Sequence, residues 1–141
     1  MDDVSFLADT SALLRFLSNS ELRRIWHRSL VNGSIATCAI TEIELLYTAR
    51  SKADRDRQEA LIRETFSWVV MPDAVFEQAS QVQTALTEKG THRSAGPVDL
   101  LTAATAEFHG LTILHYDADF LQVAEVTGQP TRWVADRGTI D

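Results

Sequence analysis

Short apolar runs separated by amphipathic stretches set the rhythm of this chain. Val4 to Ala8, Ser34 to Cys38, Ser67 to Met71 and Thr112 to His115 carry almost no charge, and runs of this length read as strands buried on both faces. Thr131 to Val134 reads as a fifth strand at an edge. Between them the period lengthens. Thr10 to Leu17 places Ala12, Leu13, Phe16 and Leu17 on one helical face. Ser18-Asn19-Ser20 before Glu21 reads as the cap of a further helix carrying Leu22, Ile25, Trp26 and Leu30, which Asn32-Gly33 stops. Thr41-Glu42-Ile43-Glu44 fits a capping box, opening a helix that runs to about Arg50. Ala53 to Phe66 is charged and amphipathic. Asp73 reads as the cap of a helix through Phe76, Ala79, Val82 and Leu86. Pro97 opens the next helix and Gly110 closes it; Ala103, Ala104 and Ala106 let that helix lie close to a sheet. Asp119 to Val126 completes the set. Strands alternating with helices at this spacing predict an α/β fold: one domain over 1–141, with a central, mostly parallel sheet of four to five strands and helices on both faces.

Size and composition add bounds. A chain of 141 residues buries enough surface to need no disulfide, and Cys38, the single cysteine, lies in an apolar run as a buried structural thiol. No apolar run reaches bilayer length. Met1-Asp2-Asp3 has the wrong charge for a signal peptide, so the expected compartment is the cytoplasm. The formal net charge of −7 argues against a nucleic-acid partner unless some acids hold cations.

Five acids stand where acids are least expected. Asp9 ends the first strand run. Glu44 follows the second, Asp99 lies in the first turn after Pro97, and Asp117 and Asp119 follow the fourth. Each has an ordinary explanation. Asp9 is a suitable helix cap, Glu44 the far partner of a capping box, and Asp99 a first-turn acid favoured by the helix dipole. Asp117-Ala118-Asp119 suits a turn and a cap. Glu42 rivals Glu44, and helical geometry alone leaves both open. Taken together, the acids have another meaning. The carboxyl ends of parallel strands face one crevice, clustered carboxylates resist ionising together, and a hard divalent cation, Mg²⁺ or Mn²⁺, removes that penalty.

Four stretches carry a family resemblance: Leu7-Ala8-Asp9-Thr10-Ser11-Ala12-Leu13, Ile40-Thr41-Glu42-Ile43-Glu44-Leu45, Val98-Asp99-Leu100-Leu101-Thr102-Ala103-Ala104-Thr105-Ala106, and Leu114-His115-Tyr116-Asp117-Ala118-Asp119-Phe120. In this order and spacing the chain resembles the PIN-domain ribonucleases, and within them the VapC toxins of bacterial toxin–antitoxin pairs. The resemblance implies catalytic roles for Asp9, Glu44, Asp99 and Asp117. It selects Glu44 over Glu42, because the family's second acid follows a Thr by three positions. It implies metal ligation by Asp9, Asp99 and Asp117, with Ser11 and Asp119 as accessories. It further implies a metal-activated water that cuts RNA to 5′-phosphate and 3′-hydroxyl ends, a VapB-like antitoxin partner, and a homodimer.

Arg15, His92 and Arg93 are the expected substrate contacts, with Lys89 beside them. Arg55, Arg57 and Arg63 alternate with acids, as on a solvated helix face. The four histidines lack zinc-ligand spacing. Trp26, Trp68 and Trp133 sit in apolar patterns that suit a core or an interface better than base stacking. Two other readings use the same acids: a metal-dependent DNA nuclease, and a catalytically silent module that merely holds an ion. A phosphorelay receiver needs a late lysine that this chain lacks.

Overall fold

The structure, a computed structural model, describes residues 3–141. The leader reading rests partly on Met1 and Asp2, which lie outside the described residues. The elements are β1 (Phe6–Ala8), α1 (Thr10–Ser18), α2 (Ser20–Ile25), α3 (His27–Val31), β2 (Ile35–Thr37), α4 (Ala39–Leu46), α5 (Lys52–Thr65), β3 (Ser67–Trp68), α6 (Ala74–Glu88), α7 (Pro97–His109), β4 (Thr112–His115), α8 (Asp119–Thr127) and β5 (Thr131–Trp133).

All five strands pair in parallel, in the order β3-β2-β1-β4-β5. Successive strand residues point to opposite faces, and both faces are covered. Leu7, Ala36 and Ile113 enter one core with Val75 of α6, Ala103 of α7 and Phe120 of α8. Ala8, Ile35 and Leu114 enter the other with Phe16 of α1, Leu45 of α4 and Phe66 beyond α5. Two-sided burial is why these strands carry no polar alternation, and it matches the predicted α/β class.

The strand expected to reach Met71 stops at Trp68, and the helix expected to reach about Arg50 stops at Leu46. Three further local expectations need correction. The helix expected to run through Leu30 breaks at Trp26, whose backbone leaves helical geometry (φ −94°, ψ 11°). Its indole N–H donates to the Val134 carbonyl at 2.9 Å, and its ring meets the edges of Phe6 and Phe16, so a long-range anchor overrides the local pattern. Second, α4 begins at Ala39. β2 ends at Thr37, and extended Cys38 (φ −138°, ψ 173°) takes the cap position. Thr41 therefore closes the turn from inside: its hydroxyl accepts the Cys38 N–H at 3.3 Å and donates to the Cys38 carbonyl at 3.0 Å. Glu44 falls in the second turn and has no capping duty. Third, Asp73 is itself helical and makes no side-chain cap.

The chain builds the sheet outward from β1 to β2 and β3, then returns to place β4 on the other side of β1. The reversal lies between β1 and β4, and in open α/β sheets ligands bind outside the strands' carboxyl ends at such a point.

Candidate metal centre

Asp9 follows β1 directly and is 3% exposed. Its Oδ1 caps α1 by accepting the Ala12 N–H at 3.0 Å, and it also accepts the Ser11 hydroxyl at 2.7 Å. Both bonds fall on one oxygen. Among the described residues no donor reaches Oδ2, so the capping role and the site role coexist. Ser11 Oγ also accepts the Tyr116 N–H at 2.8 Å. One hydroxyl thus ties the end of β1 to the end of β4.

Asp117 lies one residue further on. Its Oδ1 accepts the Asp119 N–H at 2.9 Å, folding Asp-Ala-Asp into a tight turn at the start of α8. Its own N–H donates to Nδ1 of His115 at 3.2 Å. His115 is fully buried between Phe120 and Trp133, and burial holds its pKa below the ordinary histidine value. With Nδ1 accepting, the proton of the neutral ring sits on Nε2, which is buried without a partner.

Asp99 projects from the first turn of α7, fixed there by Pro97 at the helix start. An oxygen from each of Asp99, Asp117 and Asp119 lies within 4.8 Å of the others. Asp9 and Glu44 complete the group, each close enough to Asp99 for their charges to be felt. Five acids from β1, α4, α7 and the β4–α8 turn therefore converge. Asp119, expected as an accessory, stands in the tight three-acid group, while Asp9 sits alongside Asp99.

The electrostatic cost is visible. Burial pushes the Asp9 carboxyl up to about 7, with the Asp99 charge adding to it against the Ser11 and Ala12 hydrogen bonds. Asp99 is pushed up to about 6, first by burial, then by Asp117, Glu44 and Asp119. Burial and then Asp117 also raise Asp119. No Lys or Arg side chain forms an ion pair with any of the five among the described residues. The donors are all carboxylate oxygens, with no thiol or imidazole among them. Such a set fits a hard divalent cation.

Glu42 is a different case. It is 5% exposed, but its Oε1 pairs with Arg63 of α5 at 3.1 Å, away from the acids. Arg55 and Arg57 are likewise paired with Glu59 and Asp54, in keeping with a solvated helix face. Arg15 stands beside the centre. Its Nη1 donates to the Ser11 carbonyl at 3.2 Å, its Nε to the Asp141 backbone oxygen at 3.0 Å, and its guanidinium lies 4.9 Å from the Tyr116 ring centroid. His92 and Arg93 are exposed on the turn leading into α7 and make no contact with the acids. Sequence reading missed Tyr116 and the part His115 plays beneath Asp117. Their only signal was position, at the end of a strand that an acid follows.

Comparison with known proteins agrees with this geometry. The PIN domain family model matches residues 6–126. Ribonuclease VapC21 of Mycobacterium tuberculosis is 39% identical over 137 residues, covering 95% of this chain and 96% of the relative. Ribonuclease VapC51 of the same organism is 36% identical over 138 residues, covering 98% of each. Among solved structures, DNA-bound VapBC from Salmonella typhimurium aligns with a TM-score of 0.76 at 20% identity, covering 94% of this chain and 99% of that one. VapBC2 from Rickettsia felis, bound to a DNA fragment from its promoter, aligns with a TM-score of 0.77 at 16% identity, covering 92% and 98%. At these identities the two structures speak for the fold alone. With a family model over most of its length and close relatives over nearly all of it, this chain belongs to the PIN-domain family, in its VapC branch.

Proposed function

We propose that the chain is a divalent-metal-dependent endoribonuclease and the toxin of a toxin–antitoxin pair. The observation that carries this reading is the convergence of Asp9, Glu44, Asp99, Asp117 and Asp119 at the carboxyl ends of β1 and β4, with no basic partner. The relatives named Ribonuclease VapC support RNA as the substrate.

Asp9, Asp99 and Asp117 would hold the ion, with Asp119, grouped with Asp99 and Asp117, as an accessory and Glu44 orienting water. Mg²⁺ and Mn²⁺ suit an all-oxygen donor set. A bound ion of this kind supplies Lewis acidity toward the phosphate and makes its water more acidic. The chain's own contribution is placement. Ser11 and the Ala12 N–H fix Asp9 so that Oδ2 is left for the cleft. Pro97 fixes the turn that carries Asp99, and the Asp117–Asp119 turn holds two carboxylates at a set spacing. Water adds to phosphorus, the P–O3′ bond breaks, and the products carry 5′-phosphate and 3′-hydroxyl ends. Arg15, next to Ser11, and His92 and Arg93, on the turn before α7, are the proposed substrate contacts.

The VapBC assemblies among the structural neighbours support a VapB-like antitoxin as partner, and a homodimer completes the proposed assembly. No helix of the described residues is long and apolar enough to cross a membrane; RNA as substrate makes the cytoplasm the proposed compartment. The deciding experiment incubates purified wild type and Asp99→Asn with labelled RNA in Mg²⁺, Mn²⁺ or EDTA and maps the ends produced. Cleavage by wild type alone, with either ion and not with EDTA, is expected. Equal cleavage by Asp99→Asn would overturn the assignment.

A further inference from the structure

The acidic centre poses a problem for its own substrate. RNA must bring phosphates to five carboxylates on a chain of net charge −7, and bound cations offset only the charge at the centre itself. Attraction must come from basic groups close by that are not paired with an acidic side chain.

On α5 such groups are absent: Lys52, Arg55, Arg57 and Arg63 are each paired with an acid. Toward β5 the arrangement differs. Arg15 lies over the Tyr116 ring, 4.9 Å from its centroid; its guanidinium donates to the Ser11 carbonyl and to the main-chain oxygen of Asp141, and no acidic side chain among the described residues pairs with it. Tyr116 meets the edge of Trp133 at 5.6 Å, and Arg137 lies 5.6 Å from the Trp133 centroid. Arg137 is exposed, and Arg15, Tyr116 and Trp133 are half-buried. The four form one continuous strip, Arg15–Tyr116–Trp133–Arg137, in which two aromatic rings in edge contact are flanked by a cation at each end.

Its position is fixed by hydrogen bonds already described. Tyr116 precedes Asp117, and its N–H donates to the Ser11 hydroxyl, which holds Asp9. Arg15 reaches the Ser11 carbonyl. One end of the strip therefore abuts the acids, and the other lies past the carboxyl end of β5. The Tyr116 hydroxyl is anchored to the Ile140 backbone, accepting its N–H at 3.2 Å and bonding its carbonyl at 3.1 Å, which limits ring motion. Arg132, by contrast, covers Trp26 and Phe6 on the sheet face and serves as a lid on the core.

We propose that this strip binds the single-stranded RNA segment adjoining the scissile phosphate, with Arg15 and Arg137 on backbone phosphates and Trp133 stacking a base. The inference rests on the ribonuclease reading above. Single strands suit it, because unstacked bases meet aromatic faces while cations follow the backbone. A duplex keeps its bases stacked on one another.

The test uses the full chain carrying Asp99→Asn, so that RNA is bound and not cut. A fluorescein-labelled single-stranded oligoribonucleotide is titrated at several salt concentrations. Arg15→Gln and Arg137→Gln should each weaken binding by about five- to tenfold and flatten the log Kd against log salt slope by about 0.7, the value for one phosphate contact on a single strand. Arg15→Lys should restore the slope, which a purely structural role for Arg15 would not produce. Arg55→Gln should change neither quantity. Tryptophan fluorescence should be quenched by RNA in the parent and much less so in Trp133→Phe. Unchanged affinity and slope in both Gln variants, or failure of Arg15→Lys to restore the slope, would overturn the strip. The outcomes are separable: wild type that never cuts RNA sinks the ribonuclease reading, whereas wild type that cuts while Arg15→Gln and Arg137→Gln bind normally sinks the strip alone.

Discussion

Ser11 donates its hydroxyl proton to Asp9 Oδ1 at 2.7 Å, and Ser11 Oγ in turn accepts the Tyr116 N–H at 2.8 Å. The two carboxylates that follow β1 and β4 are thereby held in register by a side chain that is itself no ligand.

Ser11→Ala is expected to lower cleavage by about 10- to 100-fold, the usual penalty for losing a group that orients a ligand. The loss should fall on kcat and on apparent metal affinity more than on RNA binding, and Ser11→Thr should recover part of it. Steady-state kinetics at several Mn²⁺ concentrations make the measurement.

The raised pKa of Asp9 sets a stability prediction. Below pH ~4 the carboxyl is protonated whether folded or unfolded, and no penalty arises. Between about 4 and 7 the unfolded chain releases a proton that the folded chain keeps, so stability falls as pH rises. Asp99 adds to the same trend up to about 6. The metal-free protein should therefore melt at progressively lower temperature from pH 4 to pH 7.5. Asp9→Asn, which keeps the capping oxygen, should flatten that trend and raise the Tm at pH 7.5 by roughly 5 °C. Calorimetry in EDTA tests both.

Protons and cations compete for the same oxygens. The acid limb of the activity profile should accordingly move to lower pH as Mn²⁺ is raised, and the Tm at pH 7.5 should climb with Mg²⁺ or Mn²⁺. A limb that stays fixed over a hundredfold range of ion concentration would contradict this competition.

Glu42 and Glu44 separate cleanly by experiment. Glu44→Gln should cost about 10²-fold or more in cleavage with little change in Tm. Glu42→Gln should leave cleavage within about twofold. Arg63→Ala should lower stability measurably, because it leaves a buried carboxylate without its cation, while the exposure of the arginine keeps the loss below that of a fully buried pair. Urea unfolding alongside the RNA assay reads both effects.

Much of this was legible in the chain. Leu7-Ala8, Ile35-Ala36 and Ile113-Leu114 feed two opposite cores, and only a sheet covered on both faces produces such unbroken apolar runs. Asp9, Asp99 and Asp117 stood out because charge beside those runs needs a reason. What escaped sequence reading depends on distant partners. The break at Trp26 is dictated by Val134, 108 residues away. The start of α4 is set by where β2 stops pairing, so Thr41 closes a turn it was expected to open. Glu42 and Glu44 tie on helical geometry, and Arg63, 21 residues on, is what occupies Glu42. Tyr116 acts through its backbone N–H, a group every residue but proline possesses and no side-chain pattern reveals.

The strand order has a consequence for biosynthesis. β1 is made first yet lies in the middle of the sheet, and its β4 flank stays open until residues 112–115 emerge from the ribosome. Asp9 waits for more than a hundred residues to be translated before Asp117 and Asp119 can join it. A fragment that ends before residue 112 lacks β4 and, with it, the Asp117 and Asp119 carboxylates, so truncation there disarms the proposed centre without touching Asp9, Glu44 or Asp99.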